Sequence, residues 1–179
     1  MSILIYAESA EGKFKKVAYE LASYAKKIAE SLGTSVTAVT INVADVSELG
    51  KYGVDKVLKV NNEAVTGFSA KAYSDIIKQA AIKEGAKVVV LSSTTDSMYL
   101  SGLVAVGLNA GFASNVVGLP VSTTPFQVKR TAFSNKAFNI TEISTDVKVI
   151  GLAKNSYGLV ENNGSLTEED FNPTIDEHE

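Results

Sequence analysis

The feature that most constrains the fold of this chain is a regular alternation of short apolar runs with longer segments of helical periodicity. The runs at 36–41 and 87–91 are rich in β-branched residues and are typical of buried strands in a parallel sheet. Between such runs, apolar residues recur at helical spacing, as at 14–32, where Gly33 is placed to end the helix. The alternation predicts an α/β fold with three layers, in which helices cover both faces of a mainly parallel sheet.

Most of the other elements can be placed from apolar spacing and from residues that suit helix ends. Ser69 suits an N-cap, and Gly85 stands just past the last apolar position of the same helix. In chain order, the further predicted elements are a strand at 3–6, a polar loop at 8–12, a short helix at 44–51, a strand at 57–60, a helix at 70–84, a helix at 98–108 and strands at 114–119 and 147–152.

The pattern changes after Pro120, where alternation with a period of two replaces helical spacing. Apolar and polar residues alternate around Phe126 up to a turn at 134–136, and a second run returns at 137–143. This arrangement predicts a late antiparallel β-hairpin beside the parallel sheet.

A change of composition at Glu161 predicts where the compact domain ends. The chain has 179 residues, which is enough for one hydrophobic core. From Glu161 onward it is rich in Asn, Gly, Glu and Asp and has few large apolar side chains. We therefore expect one domain at 1–160 and an acidic, solvated linker at 161–179.

The composition excludes several classes of function. Lys and Arg number 17 against 20 Asp and Glu, a net charge of -3, which provides no strong field for nucleic acid or anionic lipid. The chain has no cysteine and its one histidine, His178, lies in the acidic tail, so neither a catalytic residue nor a metal site is predicted. The apolar start is too short for a signal peptide, and polar residues interrupt the low-charge stretch at 102–121, so we expect a cytoplasmic protein without membrane insertion.

Two loops are the first candidates for a ligand site. Ligands of an open parallel sheet bind beyond the carboxyl ends of the strands where the strand order reverses, which points to the loops at 7–12 and 92–97. Hydroxyl groups near a helix start could hold a phosphate, and the candidate cofactor-binding residues are then Ser93, Thr94 and Thr95. The alternative is that these residues cap the helix, and it is favoured because Asp96 adds a negative charge and the loop has no lysine. Neither glycine-rich nucleotide-binding motif occurs in the sequence.

Arg130, in the predicted hairpin, is the only arginine of the chain. A guanidinium group forms bidentate contacts with carboxylates, so Arg130 is a candidate for contact with a partner chain. The alternative is an ordinary surface salt bridge within the domain.

Four segments match the pattern of one family in order and spacing. They are 3–8 with Gly12 and Lys13, 53–58, the strand that leads into 93–95, and a hairpin with Arg130, Phe133, Asn135 and Ala137. Over residues 1 to about 160, the chain resembles the amino-terminal domain of the alpha subunit of electron-transfer flavoproteins. It departs from the family where Ser97-Met98 and Gly102-Leu103 replace expected basic positions and where Thr131 replaces a proline.

The resemblance implies a fold, a cofactor and partners. The fold is Rossmann-like, of the adenine-nucleotide alpha-hydrolase-like type. The family pairs with a beta subunit, binds one FAD, and carries electrons from dehydrogenases, such as the acyl-CoA dehydrogenases of fatty acid beta-oxidation, to a quinone reductase or another acceptor. Because the family holds FAD mainly in a carboxy-terminal domain without a counterpart in these 179 residues, no cofactor is expected on this domain alone. The chain is then expected to be a truncated product or a proteolytic fragment of an electron-carrier subunit, not an enzyme, and to scaffold the heterodimer beside the flavin.

Two other functions compete with this interpretation. The first is a stand-alone nucleotide-binding domain of the universal-stress or adenine-nucleotide hydrolase-like type, which would use the loop at 92–95. The second is a homodimeric interaction module without a small ligand.

Overall fold

The computed structural model of the chain describes residues 2–63, 65 and 67–175. Its elements are β1 (Ser2–Tyr6), β2 (Ser9–Ala10), β3 (Lys13–Phe14), α1 (Lys16–Leu32), β4 (Ser35–Ile41), a 3-10 helix (Ser47–Tyr52), β5 (Lys56–Val60), α2 (Ala70–Glu84), β6 (Val88–Ser92), α3 (Thr95–Gly107), β7 (Gly111–Val116), β8 (Ser122–Thr123), β9 (Phe126–Ala132), β10 (Ala137–Glu142), β11 (Lys148–Leu152) and β12 (Thr167–Asp170). The predicted α/β class, with a mainly parallel sheet and a late antiparallel hairpin, is confirmed.

Within the described residues, ten strands form one sheet in the order β10-β9-β7-β11-β6-β1-β4-β5-β12, with β8 paired to β9. All neighbours from β7 to β12 are parallel, whereas β9 pairs antiparallel with β7, β8 and β10. The short strands β2 and β3 form a separate hairpin. The chain therefore begins in the middle of the sheet and extends it in both directions.

Alternate residues of the central strand β1 face opposite sides of the sheet, which produces the three layers. Ile3 and Ile5 belong to the core cluster that contains the apolar face of α1. Leu4 and Tyr6 belong to the cluster formed with α2 and α3. The sheet is therefore covered by helices on both faces, as predicted.

The structure shifts some predicted boundaries. The predicted strand at 114–119 lies at Gly111–Val116, because Gly111 and Phe112 pair with Lys148 and Val149 of β11 and the neighbouring strand fixes the register. The predicted short helix at 44–51 is the 3-10 helix, and the predicted polar loop after β1 contains the β2–β3 hairpin. The cap residues Ser69, Gly33 and Gly85 are confirmed.

Part of the tail forms a strand of the sheet, although three of its four residues are exposed. Thr167–Asp170 extends the parallel sheet beside β5, and Phe171 and Ile175 pack on the core cluster of α2 and α3. Apolar spacing does not predict this strand, because ion pairs hold it more than apolar side chains do. Glu168 lies 3.0 Å from Lys59, and Glu169 lies 2.6 Å from Lys56. Residues 176–179, with His178, lie outside the described residues. A linker role for 161–179 towards another domain stays a prediction.

A buried carboxylate fixes the loop that follows β11. Glu20 of α1 is 4% exposed and accepts hydrogen bonds from the backbone N–H groups of Asn155, Tyr157 and Gly158 at 3.0, 2.9 and 3.0 Å. Three charge-assisted bonds compensate the desolvation of this carboxylate. The loop is thereby held against the first helix.

No helix in the described part of the chain is long and apolar enough to cross a membrane.

The ion pairs of β12 predict how acid affects the edge of the sheet. The ammonium groups of Lys56 and Lys83 lower the pKa of Glu169 from its ordinary value of 4.5 to about 2. A carboxylate with a lowered pKa in the folded state stabilises that state above its ordinary pKa, and this contribution is lost as the pH falls from about 4.5 towards 2.

Glu169→Gln should therefore lower the hydrogen-exchange protection factors of the β12 amides at neutral pH and abolish the further loss of protection between pH 5 and pH 2. Asp170→Asn, which changes a neighbouring carboxylate without an ion pair among the described residues, is the control. Equal exchange of the two variants would show that the ion pairs do not hold the strand.

Candidate functional site

The sheet reverses its direction of growth beside β1, and this reversal positions the candidate site. From β1 the chain adds β4 and β5 on one side and then crosses to place β6 on the other side. The loops after β1 and β6 therefore leave the same edge of the sheet from neighbouring strands. This is the place where ligands bind in open α/β sheets.

The two loops meet at the buried carboxylate of Glu8, which is 3% exposed. Its Oε1 atom accepts hydrogen bonds from the hydroxyls of Thr94 at 2.9 Å and Ser97 at 2.5 Å, and from the hydroxyl of Ser92. Its Oε2 atom lies 3.4 Å from the ammonium of Lys15. We call Glu8, Ser92, Thr94 and Ser97 the Glu8 cluster. Its hydroxyl donors compensate the burial of a charged group.

The predicted cofactor-binding residues do not converge on one point. Thr94 is the N-cap of α3: it accepts a bond from the N–H of Ser97 and turns its own hydroxyl to Glu8. The Ser93 hydroxyl is not bonded to Glu8 in the described part of the chain; it accepts a hydrogen bond from the N–H of Asn115 at 3.2 Å. Thr95 is the exposed first residue of α3. The capping alternative is confirmed for Thr94, and a cofactor role for these residues stays a prediction.

A cleft of about 360 Å³, here called the switch-point cleft, opens beside the Glu8 cluster. Its charged lining residues are Glu8, Glu11, Asp96 and Lys15, so carboxylates outnumber ammonium groups among the described residues. Asn42 closes one end, since its side-chain amide donates to the carbonyl groups of Asn62 and Val65 at 3.0 and 2.8 Å. The cleft is polar and acidic, and it disfavours a phosphate group.

Three aromatic rings form a wall of the same cleft. The rings of Tyr6 and Tyr73 lie 5.9 Å apart at 87°, and those of Phe68 and Tyr73 lie 5.2 Å apart at 65°. Burial raises the pKa of both Tyr6 and Tyr73, so both phenols are protonated at neutral pH.

Arg130 lies in β9, and its side chain has few partners. Its Nη2 atom donates to the hydroxyl of Ser114 at 2.9 Å, while its buried Nε atom has no hydrogen-bond partner in the described part of the chain. No carboxylate of that part lies within ion-pair distance of the guanidinium, so the alternative of a salt bridge within the domain is not observed there. The adjacent hairpin exposes Phe133, Phe138 and Ile140 by 83%, 60% and 53%.

A second open groove, of about 600 Å³, separates the hairpin from the loops after β6 and β11. We call it the hairpin groove. Ser93 lines it together with Lys129 and Lys154, and no carboxylate is among its described lining residues. The two clefts therefore differ in the sign of their charge.

Sequence reasoning located the two loops and missed what joins them. Glu8 stands in a polar segment that reads as an exposed turn, and only pairing of β1 with β6 brings it to the hydroxyls after β6. The signal that was available is the position of both segments directly after neighbouring parallel strands. Among the described residues, no group of His, Cys, Asp or Glu side chains is arranged to hold a metal ion.

The fold and site define an open α/β domain with a switch-point cleft and an appended hairpin, and comparison with known proteins identifies its family. A family model described as "Electron transfer flavoprotein domain" matches residues 3–174. The chain belongs to this family, and the predicted resemblance to the amino-terminal domain of the alpha subunit is confirmed.

Three relatives show the range of names within the family. The chain is 29% identical over 122 residues to the electron transfer flavoprotein subunit alpha of Clostridium acetobutylicum. The aligned residues make up 66% of this chain and 36% of the relative. It is 27% identical over 121 residues to Protein FixB of Clostridium saccharobutylicum, with coverage of 66% and 36%. It is 24% identical over 127 residues to the acryloyl-CoA reductase electron transfer subunit beta of Anaerotignum propionicum, with coverage of 69% and 35%. The matches thus span little more than a third of each relative.

The Glu8 cluster predicts a stability effect that a surface carboxylate would not produce. Glu8→Ala removes the acceptor of buried hydroxyl groups and should lower the free energy of unfolding by about 3 kcal/mol in chemical denaturation. Glu11→Ala, at an exposed residue of the same loop, should change it by about 0.5 kcal/mol or less. Similar values for the two variants would mean that the cluster does not stabilise the fold.

Proposed function

We propose that this domain is the scaffolding part of an electron-transfer flavoprotein alpha subunit: it docks on a beta subunit and flanks an FAD that is held mainly by another domain. The observation that carries the proposal is the unpaired Nε atom of Arg130, whose guanidinium forms no ion pair among the described residues, beside an exposed apolar hairpin. A buried donor without a partner is costly, so an acceptor from outside the described residues would stabilise it.

The hairpin has the composition of a docking surface. Exposed aromatic side chains and arginine are enriched at protein interfaces and contribute much of their binding energy. Phe133 and Phe138 provide the aromatic groups, and Arg130 provides a planar donor suited to a carboxylate. Of the partners considered, a beta subunit is the one that the family membership favours.

The charges of the two clefts bear on where FAD would lie. The pyrophosphate of FAD is anionic and does not fit the switch-point cleft, whose described lining residues carry more carboxylates than ammonium groups. The hairpin groove, with Ser93, Lys129 and Lys154, has positive charge, which favours an anionic pyrophosphate beside it. We therefore infer that the domain faces the cofactor with the hairpin groove.

In this proposal the redox chemistry belongs to FAD, and the domain acts as part of a carrier and not as an enzyme. Dehydrogenases would supply electrons, and a quinone-reductase-type protein or another acceptor would receive them. Donors that act on CoA thioesters are supported by the relative named as an acryloyl-CoA reductase electron transfer subunit. A cytoplasmic location belongs to the same proposal.

The natural gene product, purified together with its beta subunit, tests the proposal as a whole. We expect a stable complex with the absorption spectrum of bound flavin. A colourless complex, or no complex, would contradict the proposal.

Substitution of Arg130 tests the proposed docking surface. Arg130→Ala should weaken association with the beta subunit about tenfold in light scattering or calorimetry, since it removes an interfacial donor. Lys136→Ala is the matched control, since Lys136 is an exposed residue of the same hairpin and its side chain forms no ion pair with the described residues. Equal affinity of the two variants would place the interface elsewhere.

The competing nucleotide-binding function has a direct test. Calorimetry with AMP and ATP should show binding no tighter than about 10 μM, because the carboxylates of the switch-point cleft repel phosphate. Tighter binding would favour that alternative.

A further inference from the structure

The hydroxyl of Tyr6 opens into the switch-point cleft. Tyr6 is 4% exposed and lines the cleft, and its hydroxyl has no hydrogen-bond partner among the described residues. The hydroxyl is not among the fully buried polar atoms that lack a partner in the described part of the chain, so it is open to the cleft and available to a ligand. Nothing in the proposed docking function uses this group.

The surroundings of the Tyr6 hydroxyl have negative charge. Glu8 and Asp96 line the same cleft as Tyr6, and, after burial and Tyr73, both carboxylates raise the pKa of Tyr6. Glu8 uses Oε1 for its hydroxyl donors and has only the long contact with Lys15 at Oε2. That lysine is 42% exposed, and an ammonium ion from a ligand could replace its side chain.

The aromatic wall adds a second element of recognition. The nearly perpendicular rings of Tyr6 and Tyr73, together with that of Phe68, line the cleft. Such a surface packs on methylene groups and attracts a cation through the faces of the rings. Carboxylates beside aromatic rings favour a cation with an apolar body.

We propose that the switch-point cleft binds a small aliphatic amine in its ammonium form. The N–H groups of the ligand donate to the Tyr6 hydroxyl oxygen and to Glu8 Oε2, Asp96 attracts the charge, and the methylene groups lie along Phe68 and Tyr73. A cleft of about 360 Å³ accommodates a ligand of this size. This inference is independent of the proposed docking on a beta subunit.

Calorimetry with three probes of similar size tests the inference: 1,4-diaminobutane, 1-aminobutane and 1,4-butanediol. Affinity should fall in this order, and the diamine should bind at least about tenfold more tightly than the uncharged diol. Equal binding of the diamine and the diol, or no binding of either, would overturn the inference. Binding of AMP more tightly than the diamine would also overturn it, in favour of a nucleotide site.

Substitutions in the cleft test which of its residues bind the diamine. Tyr6→Phe should weaken diamine binding about tenfold while leaving the thermal midpoint of the free protein unchanged, because the hydroxyl has no partner among the described residues. Asp96→Asn should weaken binding about fivefold at low salt, whereas Glu161→Gln, with the same change of net charge outside the cleft, should not. Lys15→Met should strengthen binding, since it removes the competing ammonium.

Thermal stability and diamine affinity together distinguish a binding role of Tyr6 from a structural one. A structural role for Tyr6 would lower the thermal midpoint of Tyr6→Phe and leave diamine binding by the folded protein unchanged, which would overturn the inference. Asp96 is exposed, so Asp96→Asn tests the charge of the cleft without disturbing the core. Equal binding by Asp96→Asn and Glu161→Gln would show that the cleft carboxylates do not recognise the ligand.

Discussion

The contact between the Glu8 carboxylate and the hydroxyl groups after β6 is the constraint on which this end of the molecule depends. It joins the loops of two neighbouring parallel strands at the point where the sheet changes direction. Through Thr94 the same cluster also determines where α3 begins, and through Lys15 it reaches the start of α1. Burying a carboxylate is normally costly, but here hydroxyl donors satisfy it, and it links the two loops and the starts of two helices.

Separation of charge between the two clefts gives the domain two different faces. Carboxylates dominate the described lining of the switch-point cleft, while lysines without carboxylates line the hairpin groove. Ser93 and Thr94 are adjacent in the sequence, yet the Thr94 hydroxyl bonds to Glu8 of the switch-point cleft, whereas Ser93 lines the hairpin groove. A loop at the carboxyl edge of a sheet can therefore serve two surfaces, and adjacent residues need not share a function.

Local signals in the sequence were enough for most of the fold. Apolar spacing predicted the central strands, and Ser69, Gly33 and Gly85 marked helix ends because their roles depend only on nearby backbone. Glu8 and β12 could not be predicted in this way. The burial of Glu8 depends on hydroxyls 84 to 89 positions away, and β12 is held by lysines from β5 and α2. Features that depend on distant partners leave little trace in a local pattern.

The late strand β12 also has a consequence for the order in which the sheet can be completed. Thr167 donates a hydrogen bond to the carbonyl of Asp55, which precedes it by 112 positions, so this edge can close only after a long stretch of intervening chain has been made. Until β12 is in place, β5 presents a row of unpaired backbone groups to its surroundings. On a ribosome, the edge of the sheet would remain open while most of the domain had already been synthesised. The acidic segment then acts as a built-in cover, and its carboxylates discourage β5 from pairing with other chains.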